Sequence, residues 1–275
     1  QNTADAQIYI SAYHYRHPAF AYLSRDFARM KFIFQWQTLP IPQDAPALYL
    51  FPRSARPPAE WLTGWEAGLL AAEPGPDGLP DFVAYRFAPG ATPLPDFQPA
   101  SANFANQIEL LGWRASTGGP HPLPPLPLGE GMGVRGGTAA VDLLWRVLNV
   151  PQEGDLRLVA DLVDGWNFHW AQAFNDAYPS EQWAAGDRLI TRLNLPLPLG
   201  LPAGGYSLAL TWYSPAAGVN LPALTAAGTS AAFAFLGPLN VPATIHPALA
   251  PTPWAQPAAA MNIPLQLLGF DPPPT

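Results

Sequence analysis

Cysteine is absent from this 275-residue chain, which excludes a disulfide framework, a thiolate metal site and a thiol nucleophile. Lysine is nearly absent: Lys31 stands alone, and arginine supplies the rest of the positive charge. Charged residues make up 12% of the chain, about half the usual share of roughly 25%. With a net charge of -7 and no basic run, nucleic acid is excluded as an expected partner. No apolar run approaches the ~20 residues of a membrane helix, and no charged and apolar leader follows Gln1. The chain therefore reads as a mature product or a soluble piece, with any membrane segment of its parent outside it.

Proline is what the chain has in excess, with 36 residues, and it accompanies 49% hydrophobic residues. Disorder needs low hydrophobicity, so this combination points to many short strands joined by rigid turns. Leu189, Thr191, Leu193 and Leu195 alternate with Ile190, Arg192 and Asn194, and Tyr206, Leu208, Leu210 and Trp212 alternate with Ser207, Ala209 and Thr211. That period of two is the mark of half-buried antiparallel strands.

The expected fold class is α+β, a small α/β domain followed by an antiparallel β-sandwich of jelly-roll or Ig-like type. Residues 1–90 suggest the order β-α-β-β-α-β, with strands around 7–10, 31–36, 47–51 and 82–87. One helix is expected to open at Pro18, and a second after Pro57-Pro58 across 61–70. Residues 91–102 read as a linker, since Pro93, Pro95 and Pro99 fall there without periodicity. The sandwich is expected over 103–246, with strands at 107–113, 140–148, 156–163, 168–174, 188–195, 205–213, 231–236 and 241–245. A Pro/Gly-rich insertion at 118–137 interrupts it. Its Pro-Leu-Pro-Pro-Leu-Pro core has the form of a polyproline ligand, and it reads first as a low-complexity insertion in a surface hairpin. Residues 247–260 form a second linker. Leu265-Gln266-Leu267-Leu268-Gly269-Phe270 then repeats Ile108-Glu109-Leu110-Leu111-Gly112-Trp113, so 261–275 reads as the first strand of a second sandwich.

Few residues suggest chemistry. His14 and His17 stand three apart beside Pro18 with no third ligand in view. Asp161, Asp164, Asp176, Glu181 and Asp187 crowd one region, where paired carboxylates could hydrolyse a glycoside, though all are also ordinary turn and strand-exit residues. No serine has the Gly-x-Ser-x-Gly context of a nucleophile elbow. No catalytic residue, metal or cofactor is expected. The strongest binding signal is aromatic: Asp164-Gly165-Trp166-Asn167-Phe168-His169-Trp170 places a turn between large rings, with Tyr178 and Trp183 soon after. Trp166, Trp170, Tyr178, Trp183 and Asp164 are therefore the candidate carbohydrate-binding residues, because flat rings make rigid contact surfaces.

The stretch 103–245 resembles the β-sandwich module at the extracytoplasmic C-terminal end of family 39-type membrane glycosyltransferases, the superfamily of protein O-mannosyltransferases and aminoarabinose transferases. The residues that carry the resemblance include Gln107-Ile108-Glu109-Leu110-Leu111-Gly112, Leu162-Val163-Asp164-Gly165, Tyr178-Pro179-Ser180, Gly186-Asp187, Leu201-Pro202-Ala203-Gly204-Gly205-Tyr206 and Tyr213-Ser214-Pro215. His17-Pro18-Ala19-Phe20-Ala21-Tyr22-Leu23 and Lys31-Phe32 are similar to the small domain before that module. The resemblance implies an extracytoplasmic, non-catalytic accessory module, tethered through membrane segments of its parent and engaging a glycan or protein acceptor. The family's catalytic aspartate sits in a loop between membrane helices, a region with no counterpart here. An independent carbohydrate-binding module and a secreted glycoside hydrolase are the alternatives.

Overall fold

The structure is a computed structural model describing residues 5–12, 24–34, 36–117, 137–151, 154–198, 200–225 and 228–242. The expected strand 265–270, the opening helix at Pro18, His14 and His17 all lie outside the described residues, as does 118–136 of the insertion.

Seventeen strands are described. They are β1 (Gln7–Ala12), β2 (Met30–Phe34), β3 (Thr38–Ile41), β4 (Ala47–Pro52), β5 (Leu69–Pro74), β6 (Pro80–Phe87), β7 (Gln98–Phe104), β8 (Ile108–Thr117) and β9 (Thr138–Val147). There follow β10 (Arg157–Val163), β11 (His169–Asn175), β12 (Arg188–Pro196), β13 (Gly204–Ser214), β14 (Val219–Leu221), β15 (Ala223–Leu224), β16 (Ser230–Ala231) and β17 (Ala234–Val241). Three sheets result. The first has the order β2-β1-β4-β6-β5, with β1 parallel to both β2 and β4. The second has seven strands, β16-β15-β7-β8-β9-β12-β3, and the third runs β11-β10-β13 with β14 and β17 both on β13.

The expected α+β class, with its α/β first domain, is wrong: the fold is nearly all β, and no helix of seven residues or more occurs among the described residues. The helix expected across 61–70 is two separate 3-10 turns, Ala59–Trp61 and Trp65–Gly68, after which β5 begins. Gly64 between them adopts φ 81°, a left-handed conformation that ends one turn before the next begins. Both tryptophans are then pinned by their indoles, Trp61 Nε1 to Asp142 Oδ2 (2.8 Å) and Trp65 Nε1 to the Pro93 carbonyl (3.2 Å). Burial of these two rings, not helix propensity, sets the local backbone. Trp65 sits among Tyr49, Phe51, Tyr85 and Phe87 at centroid distances of 4.9 to 5.9 Å.

Strand β1 is buried on both faces, as a strand flanked by two parallel neighbours should be. Tyr9 stacks on Tyr49 on one face, while Ile8 and Ile10 pack with Phe32 on the other. The sandwich strands follow the expected alternation closely, although β7 starts at Gln98, inside the stretch read as linker, and 234–241 is one strand. Pro99 is accommodated because β15 meets β7 only at Asn103 and Phe104, so no neighbour there needs its missing N–H. The core between the two sandwich sheets is centred on Trp145, whose ring meets Trp212 edge-on at 5.3 Å, with Trp183 at 5.4 Å from Trp212.

Strand β3 does not join the sheet of its sequence neighbours. It pairs antiparallel with β12 and forms one edge of the seven-stranded sheet. Further bonds tie the early strands to the sandwich: the Phe32 amide donates to Gln182 Oε1 (2.8 Å), and Thr38 Oγ1 to Asn175 Oδ1 (3.1 Å). One hydrophobic core accordingly runs from Tyr9 to Val241.

Candidate functional site: an aromatic hairpin and its sheet face

Strands β10 and β11 are joined by the turn at 164–168. The Asn167 amide donates to the Asp164 carbonyl (3.0 Å) and the Asp164 amide to the Phe168 carbonyl (3.2 Å). Asn167 has φ 60°, the left-handed conformation that asparagine tolerates better than most residues. The Asp164 side chain fastens the loop from within. Its Oδ1 accepts from the amides of Trp166 (2.8 Å) and Phe168 (2.9 Å), and its Oδ2 accepts from Trp170 Nε1 (3.0 Å). The Phe168 amide foremost, then the Trp170 indole and the Trp166 amide, hold the Asp164 carboxyl below its ordinary range.

This latch presents rings outward. Trp166 is 92% exposed and Phe168 60%, and Phe168 meets Trp170 edge-on at 5.1 Å. Trp170 is half-buried and in turn meets Tyr206 edge-on at 6.4 Å, which anchors the hairpin to β13. Isolated exposed apolar residues need no explanation, but two large rings on a single braced turn form a rigid contact surface.

Two of the predicted residues lie elsewhere. Tyr178 is buried, with its hydroxyl donating to the Gln182 carbonyl (2.9 Å). Trp183 is 5% exposed, packed on Trp212, and donates its indole N–H to the Tyr178 carbonyl (3.2 Å). Both are core residues. The structure therefore brings together Asp164, Trp166 and Trp170 and separates them from Tyr178 and Trp183.

The outer face of the third sheet adds residues that sequence reasoning passed over. The register sets Phe174, Val159 and Thr211 in one row and Gln172, Asp161, Ala209 and Phe235 in the next row on the same face. Phe174 and Phe235 are both more than half exposed, and the Arg157 guanidinium lies over the Phe174 ring at 4.9 Å. Phe174 carried a signal: it falls in phase with Asp161 and Gln172, on the polar side of the hairpin. Phe235, in an alanine-rich stretch, carried little.

Asp161, Asp176 and Asp187, three of the carboxylates that suggested hydrolysis, are committed to separate partners. Asp161 Oδ1 accepts from Gln172 Nε2 (2.8 Å) and lies 3.0 Å from His169 Nε2. Asp176 pairs with Arg157 (2.8 Å), and Asp187 Oδ2 accepts from the Ala184 amide (3.2 Å). Among the described residues no group of three or more His, Asp and Glu is arranged to hold a metal ion. No helix among them is long and apolar enough to cross a membrane. Compared with known proteins, the chain matches no family model, no curated protein and no solved structure.

Proposed function

We propose that this chain is a glycan-engaging accessory module, without turnover of its own, on the extracytoplasmic side of a family 39-type membrane glycosyltransferase. The observation that carries the binding half of this reading is the latched hairpin, in which Asp164 fixes a turn that exposes Trp166 and Phe168. Sugar rings present flat C–H faces that stack on such aromatics, and the surrounding polar groups supply hydroxyl partners. Asp161, Gln172 and His169 stand beside the hairpin with donors and acceptors of both kinds. The transferase half rests on the resemblance of the turn and strand motifs between Gln107 and Pro215.

Binding is tested by titrating the chain with a panel of neutral oligosaccharides and following tryptophan fluorescence. Saturable binding that Trp166→Ala and Phe168→Ala each weaken by about 1 to 3 kcal/mol is the expected result. Binding that survives both substitutions removes the hairpin from the site. The hydropathy of the upstream reading frame tests the transferase assignment separately: several membrane spans are expected. A lone signal peptide would leave the same hairpin serving an independent carbohydrate-binding module of a surface protein.

A further inference from the structure

On the far side of the seven-stranded sheet from the sandwich core, register places Arg114 (β8), Asp142 (β9) and Arg192 (β12) side by side across three strands. Arg192 and Asp142 are 2% and 3% exposed. All the acceptor capacity of Asp142 points at donors already in place. Oδ1 accepts from Arg192 Nε (2.7 Å), and Oδ2 accepts from Arg192 Nη2 (2.8 Å), Arg114 Nε (2.8 Å) and Trp61 Nε1 (2.8 Å). The guanidinium of Arg192 also lies over the Trp61 ring at 5.2 Å. Donors remain over. Arg192 Nη1 is buried without a hydrogen-bond partner among the described residues, and Arg114 Nη2 lies 2.8 Å from Asp142 Oδ2 but outside hydrogen-bonding geometry.

A cleft of about 330 Å³ opens at this row, lined by Glu60, Arg114, Ser116, Ala140, Asp142 and Arg192. Glu60 is its outermost charge. It belongs to the 3-10 turn Ala59–Trp61, is 44% exposed, and places Oε1 2.7 Å from Arg192 Nη2. The arrangement has two fixed guanidiniums, one carboxylate locked between them, and a second carboxylate held at the mouth by an exposed side chain.

We propose that this cleft binds a small oxyanion, a carboxylate or phosphate group, on Arg192 and Arg114, and that Glu60 is a resident carboxylate which the ligand displaces. Two surplus guanidinium donors match an oxyanion and not a cation, and arginine forks take carboxylate and phosphate in paired bonds. Glu60 already shows that a carboxylate fits there. Glu60 holds Arg192 Nη2, which Asp142 also shares, so the exposed Glu60 side chain must swing outward before a ligand oxygen can take its place on the guanidinium. Asp142 does not move, because four donors hold it. A cavity of this size accepts a single sugar acid or sugar phosphate. The site lies on a different sheet from the aromatic hairpin, so it stands or falls independently of the glycan reading.

Calorimetric titration of the full chain with sodium phosphate and with sodium glucuronate, against glucose and against sodium chloride at matched ionic strength, tests the site. One or both oxyanions should bind saturably and the controls should not. Phosphate alone points to a phosphorylated ligand and glucuronate alone to a sugar acid. Glu60→Ala removes the displaced group and should tighten binding about tenfold, or 1.4 kcal/mol. Arg114→Gln should weaken it at least as much. Ser116→Leu fills the mouth without altering the charge row, and should abolish binding even if Arg114→Gln proves too unstable to measure. Failure of both oxyanions to bind overturns the proposal. So does glucose binding that Glu60→Ala weakens, which would make the cleft a neutral-sugar site, and so does oxyanion binding indifferent to Ser116→Leu.

Discussion

Asp164 and Trp183 were grouped by the sequence as parts of one surface, yet they have opposite work. Asp164 is a half-buried residue whose carboxylate accepts three bonds that keep its folded pKa below the ordinary value. A lowered folded pKa means that the latch is complete above the ordinary carboxylate range, near pH 4, and is lost as pH falls through the lowered value. Glycan binding by the hairpin should hold at pH 5 and fail under stronger acid, and Asp164→Ala should abolish binding at any pH, as fluorescence titration can show. Trp183 gives the contrasting result. Its ring is enclosed against Trp212, so Trp183→Ala should destabilise the chain by about 3 to 5 kcal/mol in chemical denaturation. Trp166→Ala should change stability by no more than about 0.5 kcal/mol, since almost nothing covers that ring. The turn signal at 164–167 was legible because its geometry is local. Whether a tryptophan sixteen residues later faces solvent or core depends on a sheet contact that no local pattern records.

At the scale of the element, the strands with alternation or a clear apolar run were readable, β1 among them, and several of the shortest were not. Strand β3, Thr-Leu-Pro-Ile, has all four residues buried, contains Pro40 and spans only two periods of a strand, so it offers no alternation to detect. Pro40 is tolerated because β3 is an edge. The 3-10 turns that replace the expected helix were hidden for a related reason: the anchor of Trp61 is Asp142, eighty-one positions away. The same Asp142 joins β8, β9 and β12 through both arginines. Asp142→Ala would leave buried Arg192 with only the half-exposed Glu60 to balance it, and a loss of about 3 to 5 kcal/mol is expected in urea titration. A second buried carboxyl behaves differently. Asp187, at the turn before β12, is pushed up to about 6, chiefly by burial, with Lys31 offsetting only part of the cost. Between the ordinary carboxylate value and 6 the folded chain keeps a proton that the unfolded chain has lost, so this group subtracts stability as pH rises. Asp187→Asn should therefore be more stable than the parent at pH 7.5, with the difference shrinking toward pH 4.

The whole molecule is held as one body by the exchange at β3. The first ninety residues contribute an edge strand to the sandwich, place Trp61 and Glu60 over its charged row, and receive Gln182 and Asn175 as hydrogen-bond partners in return. Composition suggested a boundary near 91–102, because proline-rich stretches without periodicity are where linkers fall. Composition cannot register that the chain before it crosses into the second sheet. Removing residues 5–97 would uncover the open edge of β12 along Arg188–Thr191 and strip the cover from Arg192 and Asp142, two charges whose burial depends on Trp61 and Glu60. Unpaired edges and exposed apolar faces promote aggregation. The full chain should thus unfold in a single calorimetric transition, with equal van't Hoff and calorimetric enthalpies, and a fragment starting at Gln98 should be insoluble or lack a cooperative transition. Two resolved transitions in the full chain, or a soluble fragment that unfolds at the same temperature as its parent, would show that the early strands rest against the sandwich without supporting it.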